Sequence, residues 1–443
     1  MWLDEVIATL GKKASSLKAD GNVDLVRLGH CMALAELATV RDDPAYLDNA
    51  KAVLEPISDP RRRAEGLATL VRQRARYAAR HQDAADLDLA ITLANTISHP
   101  YFRAMATIEL AIVAASVGDH RQAKHSLGVA NEWIYTIRDE QQRAVALMRI
   151  SEALAEVGAS TSRPELVGYA NGISHQISNL EKRARALAAV GSAYGQLGMQ
   201  AEVTTALQRG VGCLPQITDP YEQVLAMGDV ATLHARATTR LDPHKLPEEA
   251  VLLIRRAEAL VDEIPDPFGR SSALYSLTGQ LLELGALKEG QRLAGAALDH
   301  ALSVTDPYHR GQAFAQLAGP MARLEELYKA HLLIEVAAQI ADEIKDEYFR
   351  AQLIHQLLVT LPQLLPSAET VTTYLARMER LVDHARKKGA DIHESHSTLR
   401  NAKESLAQGE VERAGDLAVR VNGQIERLIG ITTNIPKVAD GGD

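Results

Sequence analysis

Cysteine is almost absent. Cys31 and Cys213 are the only two in 443 residues and stand far apart, so the chain offers neither a disulfide framework nor a thiolate metal site. Such usage suits a reducing cytoplasm, the compartment expected for this protein. Aromatic residues are scarce at 4 %. Long apolar runs are missing, and the opening Met1-Trp-Leu-Asp-Glu-Val-Ile carries acids early, so neither a signal peptide nor a membrane-spanning helix is expected. Positive charge is also in deficit. Lys and Arg number 48 against 57 Asp and Glu, a net charge of −9, and the resulting field repels phosphate backbones and anionic membranes; neither nucleic acid nor membrane is an expected partner. Catalytic signatures are missing too: there is no Gly-x-x-x-x-Gly-Lys-Ser/Thr phosphate loop, no His-Glu-x-x-His pair and no Gly-x-Ser-x-Gly elbow. His393 and His396 flank Glu394 in a polar stretch and read as incidental rather than as metal ligands. A non-enzymatic protein without cofactor or metal is the expectation.

What the chain has is repetition. An apolar residue, then Asp-Pro, an aromatic and Arg-Ala recurs, as in Ile97-Ser-His-Pro-Tyr-Phe-Arg-Ala104. The first residue of this mark returns as Ile57, Ile97, Ile137, Ile177, Ile217, Ile264, Val304 and Ile344, at spacings of 40 broken once by 47. A period of this length means stacked copies of one supersecondary unit, each in contact with its neighbours only, so 443 residues need no single large core.

Counting from each anchor gives the unit. Two residues on stands Asp or a substitute (Asp59, His99, Asp139, Asn179, Asp219, Asp266, Asp306, Asp346), followed by Pro in five copies. A carboxylate at a helix N-cap accepts from an unpaired backbone N–H, and Pro at the first helical position loses no hydrogen bond, so the pair predicts a helix start. Apolar positions follow at plus 7, 10, 13, 14 and 17, one stripe of an amphipathic helix. At plus 21 stand Gly118, Gly158, Gly198 and Gly285, suited to the left-handed turn that ends a helix. A second helix then runs to the next anchor. Each unit is therefore predicted to be a helical hairpin, and the fold class an all-α, right-handed α-solenoid of about nine hairpins.

Four segments follow. Residues 1–22 are expected to form an N-terminal capping helix over the first repeat, 23–388 the repeats, 389–435 a C-terminal helical hairpin cap, and 436–443 a disordered tail. The seven extra residues lie in or near 236–247, whose two prolines place them in a loop between two helices of one unit.

The unit core Arg-Ala-x-Ala-Leu-x-x-(Leu/Ile)-(Ala/Ser)-x-x-Leu-x-x-x-Gly, as from Arg143 through Leu147 and Leu154 to Gly158, resembles the tetratricopeptide repeat, in a 40-residue variant without that family's usual tryptophan. Armadillo and HEAT arrays share a period near forty. Copies opening Ile-Thr-Asp-Pro, as at Ile217, are similar to the sensor arrays attached to bacterial signalling ATPases. Covering roughly residues 23–385, the resemblance implies a superhelix whose first helices line a concave groove that binds protein or peptide.

Two polar features compete for a functional reading. At plus 6 runs an arginine row (Arg63, Arg103, Arg143, Arg183, Arg270, Arg310, Arg350) interrupted by Gln223. The guanidinium fork suits bonding at the joint between repeats, and that structural reading is favoured over an anion site. At plus 5, 8 and 12 lies the stripe that the resemblance turns toward the groove: Phe102, Met105 and Glu109; Gln142, Val145 and Arg149; Lys182, Arg185 and Ala189; Glu222, Leu225 and Asp229; Gly269, Ser272 and Ser276; His309, Gln312 and Gln316; Phe349, Gln352 and Gln356. Its mixture of apolar groups, both charges and a glutamine-rich end suits a groove with several subsites. On this stripe Phe102, Met105, Glu109, Arg149, Lys182, Arg185, Asp229, His309, Gln312 and Gln316 are the candidate binding residues, for a protein or peptide or, in an alternative reading, for a small molecule held in the groove.

Overall fold

A computed structural model describes residues 2–14, 17–238, 247–429 and 435. Each Asp-Pro mark opens a helix, as the capping argument requires. The caps at Asp59, Asp139, Asn179, Asp219, Asp266 and Asp306 each accept from a backbone N–H three residues on, at 2.7–3.0 Å. Asp346 accepts from Tyr348 and Phe349. His99 makes no side-chain cap, and Pro100 alone marks that start.

The described residues form twenty-one α-helices and no strand. A short α1 (Trp2–Ala14) precedes α2 (Asp20–Arg41) and α3 (Ala45–Leu54). The repeating pairs are α4 (Pro60–His81) with α5 (Ala84–Thr96), α6 (Pro100–Ser116) with α7 (His120–Ile134), α8 (Glu140–Ser160) with α9 (Pro164–Ser174), α10 (Leu180–Leu197) with α11 (Gln200–Cys213), and α12 (Pro220–Thr238) with α13 (Glu248–Leu260). There follow α14 (Pro267–Glu283), α15 (Leu287–Ser303), α16 (Pro307–Arg323), α17 (Leu327–Glu343), α18 (Glu347–Thr360), α19 (Ala368–Lys387), α20 (His393–Ala407) and α21 (Val411–Ile429). The fold is an all-α helical-repeat solenoid. The insertion falls between α12 and α13, with residues 239–246 outside the described residues, as is the expected tail at 436–443.

The chain forms two compact units, residues 34–286 and residues 1–33 with 287–443. In the first, helices α4, α6, α8, α10, α12 and α14 pack each on the next, and the second helices close the hairpins. All eight anchors are buried, none more than 7 % exposed. The stripe predicted for the copy opened by Ile137 is inside as well: Ala144, Leu147, Ile150 and Leu154 are buried, and Ser151 meets its polar demand by donating to the Ala170 carbonyl at 2.9 Å. Burying such a side chain contributes roughly 1.5–3 kcal/mol.

Gly118, Gly198 and Gly285 have φ of 82°, 78° and 73° and take the left-handed turn expected of them. Gly158 does not. It lies inside α8, where a Cβ would stand 2.8 Å from Val167 Cγ2 and 3.0 Å from the Arg163 carbonyl; it is glycine for close approach, and Ser162 (φ 55°) takes the turn.

In the second unit the N-terminal helix has partners that no local pattern announces. Helix α1 runs beside α17 and touches α18. Trp2 stacks flat on His331, with ring centroids 3.8 Å apart and 4° between planes. Its indole N–H donates to Glu335, its backbone N–H to Asp416 of α21, and Lys13 reaches the Ala338 carbonyl and Asp342 further along α17. The early part of α2 packs on α18, where Gly29 leaves space for His355, and His355 Nδ1 lies 3.1 Å from the Leu25 carbonyl. Helix α19, which follows α18, packs on α20 and α21.

Burial pushes the His331 imidazole down to about 3, far below its unfolded value near 6.5. The unfolded chain therefore binds the extra proton between those values, and the stability that His331 supports is full above pH 6.5 and lost as pH falls toward 3. Burial raises Glu335 and Asp416, whose contributions run the opposite way and offset part of the loss. Denaturant titrations from pH 7 to 4 should show the wild type losing more stability than His331→Phe. Trp2→Ala should cost about 2 kcal/mol at neutral pH, and an unchanged midpoint would mean that α1 is not docked.

Candidate functional site

Three arginines of the row close helix ends. Arg183 Nε and Arg270 Nε donate to the carbonyls of their own anchors, Ile177 and Ile264, both at 2.7 Å, and Arg63 donates to the Glu55 carbonyl at 2.7 Å. Each satisfies an oxygen that the preceding helix leaves unpaired at its C-terminal end. Gln223, which breaks the row in sequence, does the same work by donating to the Leu214 carbonyl at 2.9 Å. Arg103 differs: it bonds Asn95 and lies over the Trp133 ring at 4.4 Å.

The candidate stripe is brought together, and much of it is consumed in mutual contacts. In the unit of residues 34–286 a chain of ion pairs crosses five consecutive first helices and a hydrogen bond carries it to a sixth. Arg76 of α4 bonds Glu109 of α6 at 3.2 Å, and Glu109 also accepts from Arg149 of α8 at 2.8 Å. Arg149 holds Glu152 on its own helix at 2.6 Å, and Glu152 accepts from Arg185 of α10 at 2.6 Å. Arg185 reaches Asp229 of α12 at 3.1 Å, whose other oxygen accepts from Gln280 of α14 at 2.9 Å. Gly228 makes room for that last amide, since a Cβ there would lie 1.8 Å from Gln280 Oε1.

These groups are mostly shielded. Burial disfavours charge on Arg149 and Arg185, but Glu152 with Glu109, and Asp229 with Glu152, outweigh it and hold both guanidinium groups above their usual value. Nearby Glu156 is raised, chiefly by burial. Lys182 pairs with Glu181 on its own helix. Phe102 is buried against His99 and Tyr101, and Met105 is half-buried between buried neighbours. Sequence reasoning found Glu109, Arg149, Arg185 and Asp229 but missed Arg76, Glu152 and Gln280, which lie deeper along their helices than the plus 5, 8 and 12 positions. The signal for Glu152 was its place one turn after Arg149.

The stripe is different on α16 and α18. His309 pairs with its own cap Asp306 at 2.7 Å, and Gln312 donates to the Tyr308 hydroxyl, which also bonds Gln352. Tyr308 packs on Phe349, centroids 4.8 Å apart, and Phe349 on Tyr348. Tyr348 and Phe349 remain 47 % and 42 % exposed, while Gln316 and Gln356 continue the face half-buried. This surface carries aromatic rings and amides where the other carries paired ions.

No group of three or more His, Cys, Asp or Glu among the described residues is placed to hold a metal ion. His393 and His396 are exposed, beside Arg386 and Arg400 at an open depression. Cys31 and Cys213 are free and buried, and burial pushes the Cys31 thiol up to about 12. Among the described residues no helix is long and apolar enough to cross a membrane.

No family model matches the sequence, and no curated protein matches it. Among solved structures the chain is similar to Ton1535 from Thermococcus onnurineus NA1, at 15 % identity over 81 % of this chain and 99 % of that one, TM-score 0.31. It is also similar to a circular tandem repeat protein with novel repeat topology, at 13 % identity over 92 % of this chain and 97 % of that one, TM-score 0.24.

A shielded ion-pair chain predicts its own mutational signature. Arg149→Met strands Glu109 and Glu152 without their shared cation and should cost about 2 kcal/mol, less than a fully buried pair because Arg149 keeps some solvent contact. The Glu109→Gln/Arg149→Met double-mutant cycle, read by urea denaturation, should give a coupling of about 1 kcal/mol; strict additivity would show that the contact contributes nothing.

Proposed function

We propose that this protein is a non-enzymatic scaffold that binds an extended peptide segment of a protein partner across the first helices α16 and α18. The observation that carries this reading is the exposure of Tyr348 and Phe349 at the head of a face lined by Gln312, Gln316, Gln352 and Gln356. Leaving large rings in water forgoes stabilisation that burial would supply, and a partner's apolar side chain recovers it. Gln312 donates to the Tyr308 hydroxyl and Gln352 accepts from it, but a glutamine amide has two N–H donors and two acceptor sites, so each can also bond the backbone amide of an extended chain without losing that contact.

The likeness of the unit to tetratricopeptide repeats supports the same role, since that resemblance implies binding by first helices. The ion-pair chain argues against Arg149 and Arg185 as partner contacts: recruiting them would break bonds already made at 2.6–3.1 Å. Binding therefore belongs to the aromatic and amide face.

Panning a random-peptide display library on the full-length protein tests this directly. Enriched peptides should carry apolar anchors and bind with Kd of about 1–100 μM, and Phe349→Ala with Gln352→Ala should weaken them tenfold or more at unchanged melting temperature. Equal enrichment on the double variant would move the site elsewhere, and no enrichment at all would sink the scaffold reading.

A further inference from the structure

We infer that a cavity between α7, α8 and α9 is a binding site for a small phenolic carboxylate, separate from the peptide face on α16 and α18. The cavity measures about 330 Å³, within the range of small-molecule sites. Its floor is apolar, formed by Leu127, Leu154 and Leu166, with the half-exposed Tyr169 as one wall.

Its origin is a departure from the repeat. Helix α8 has 21 residues against 17 in α6 and 18 in α10, and α9 has 11 against 15 in α7 and 14 in α11. The shortened α9 leaves α7 partly uncovered, and at Gly128 an added Cβ would meet nothing within 4 Å.

The next copy shows what fits. Leu154 stands 17 residues after its anchor, and the residue at that place in the following copy is Tyr194, whose ring is buried and whose hydroxyl lies 3.9 Å from where a Cβ on Gly168 would be. A tyrosine ring thus stands there where leucine stands here, while Asn171 Oδ1, the counterpart of Asn131 Oδ1, keeps no hydrogen-bond partner among the described residues, so what the next copy supplies is the ring and not a hydroxyl–amide bond. Asn131 lines the cavity, and its Oδ1 is buried with no hydrogen-bond partner among the described residues, an acceptor for a ligand hydroxyl. About two helical turns, roughly 10 Å, from Asn131 along α7 stands Lys124, with His120 a further turn on, and Arg163 joins them at this polar end against the single carboxylate Glu165. The cationic excess at one end and the acceptor at the other match an aromatic ring bearing a hydroxyl and, on a short tether, a carboxylate.

Titration of the full-length protein with 3-(4-hydroxyphenyl)propanoate, followed by calorimetry and ligand-observed NMR, tests the site. Saturable binding with Kd between about 10 μM and 1 mM is expected for a ligand of this size. Lys124→Glu with Arg163→Glu should weaken it at least tenfold, and the cationic analogue 2-(4-hydroxyphenyl)ethylamine should bind at least tenfold more weakly than the acid. Gly128→Leu, which grows into open space and raises helix propensity, should abolish binding while the melting temperature stays level or rises. Absence of saturation below about 5 mM, or binding that survives Gly128→Leu, would overturn the assignment.

Discussion

Everything in this protein depends on an apolar seam that no hairpin can close alone. The anchor residue, the plus 7 to plus 17 stripe and the face of the next first helix form one continuous buried surface, and each copy contributes only part of it. The constraint reaches the polar atoms as well. A helix that ends against the next helix start has carbonyls without partners, and the residue at plus 6 answers this in several copies, as Arg63, Arg183 and Arg270 do and as Gln223 does with a different side chain. What the position requires is a long donor, not a positive charge, which is why a glutamine can stand in an arginine row without breaking the seam.

The same repetition that buries the seam also lines up the first helices so that one charged residue meets the next. Opposite charges on neighbouring helices then pair in sequence from Arg76 to Asp229, with Gln280 ending the chain on an amide instead of a further charge. Ion pairs of this kind gain modest energy but penalise misregister, because a slip of one helix leaves several half-buried charges unpaired at once. On α16 and α18 the equivalent stripe carries no such chain, and the rings of Tyr348 and Phe349 stay in water.

Helix starts, anchors, the buried stripe and three of the four left-handed glycines were legible in the sequence because each is decided within one copy by local stereochemistry and period. The exceptions have a common cause. Gly158 looked like a turn because its position matched, yet its role is set by contact with Arg163 and Val167 across the hairpin. The site of α1 depends on residues more than 300 positions away, His331, Glu335 and Asp416, and an amphipathic helix at a chain end carries no mark of which face it covers. Four members of the ion-pair chain were visible as polar residues on the stripe, but whether each faced a ligand or a neighbour turned on Arg76, Glu152 and Gln280, whose participation only three-dimensional distance reveals.

The two proposed binding sites lie where copies differ. Identical units bury identical surfaces and leave nothing over, so a face free to take up something else must come from a substitution or a change of length. Replacing charge by amide and aromatic at the stripe of α16 and α18 does the first. Lengthening α8 while shortening α9, with Leu154 where the following copy has Tyr194, does the second. The period itself is unaffected, because the anchors Ile137 and Ile177 stay forty residues apart and remain buried. Variation is tolerated at those places because the seam is made elsewhere, by the anchors and the inner stripe, and a change that spares them costs the fold little.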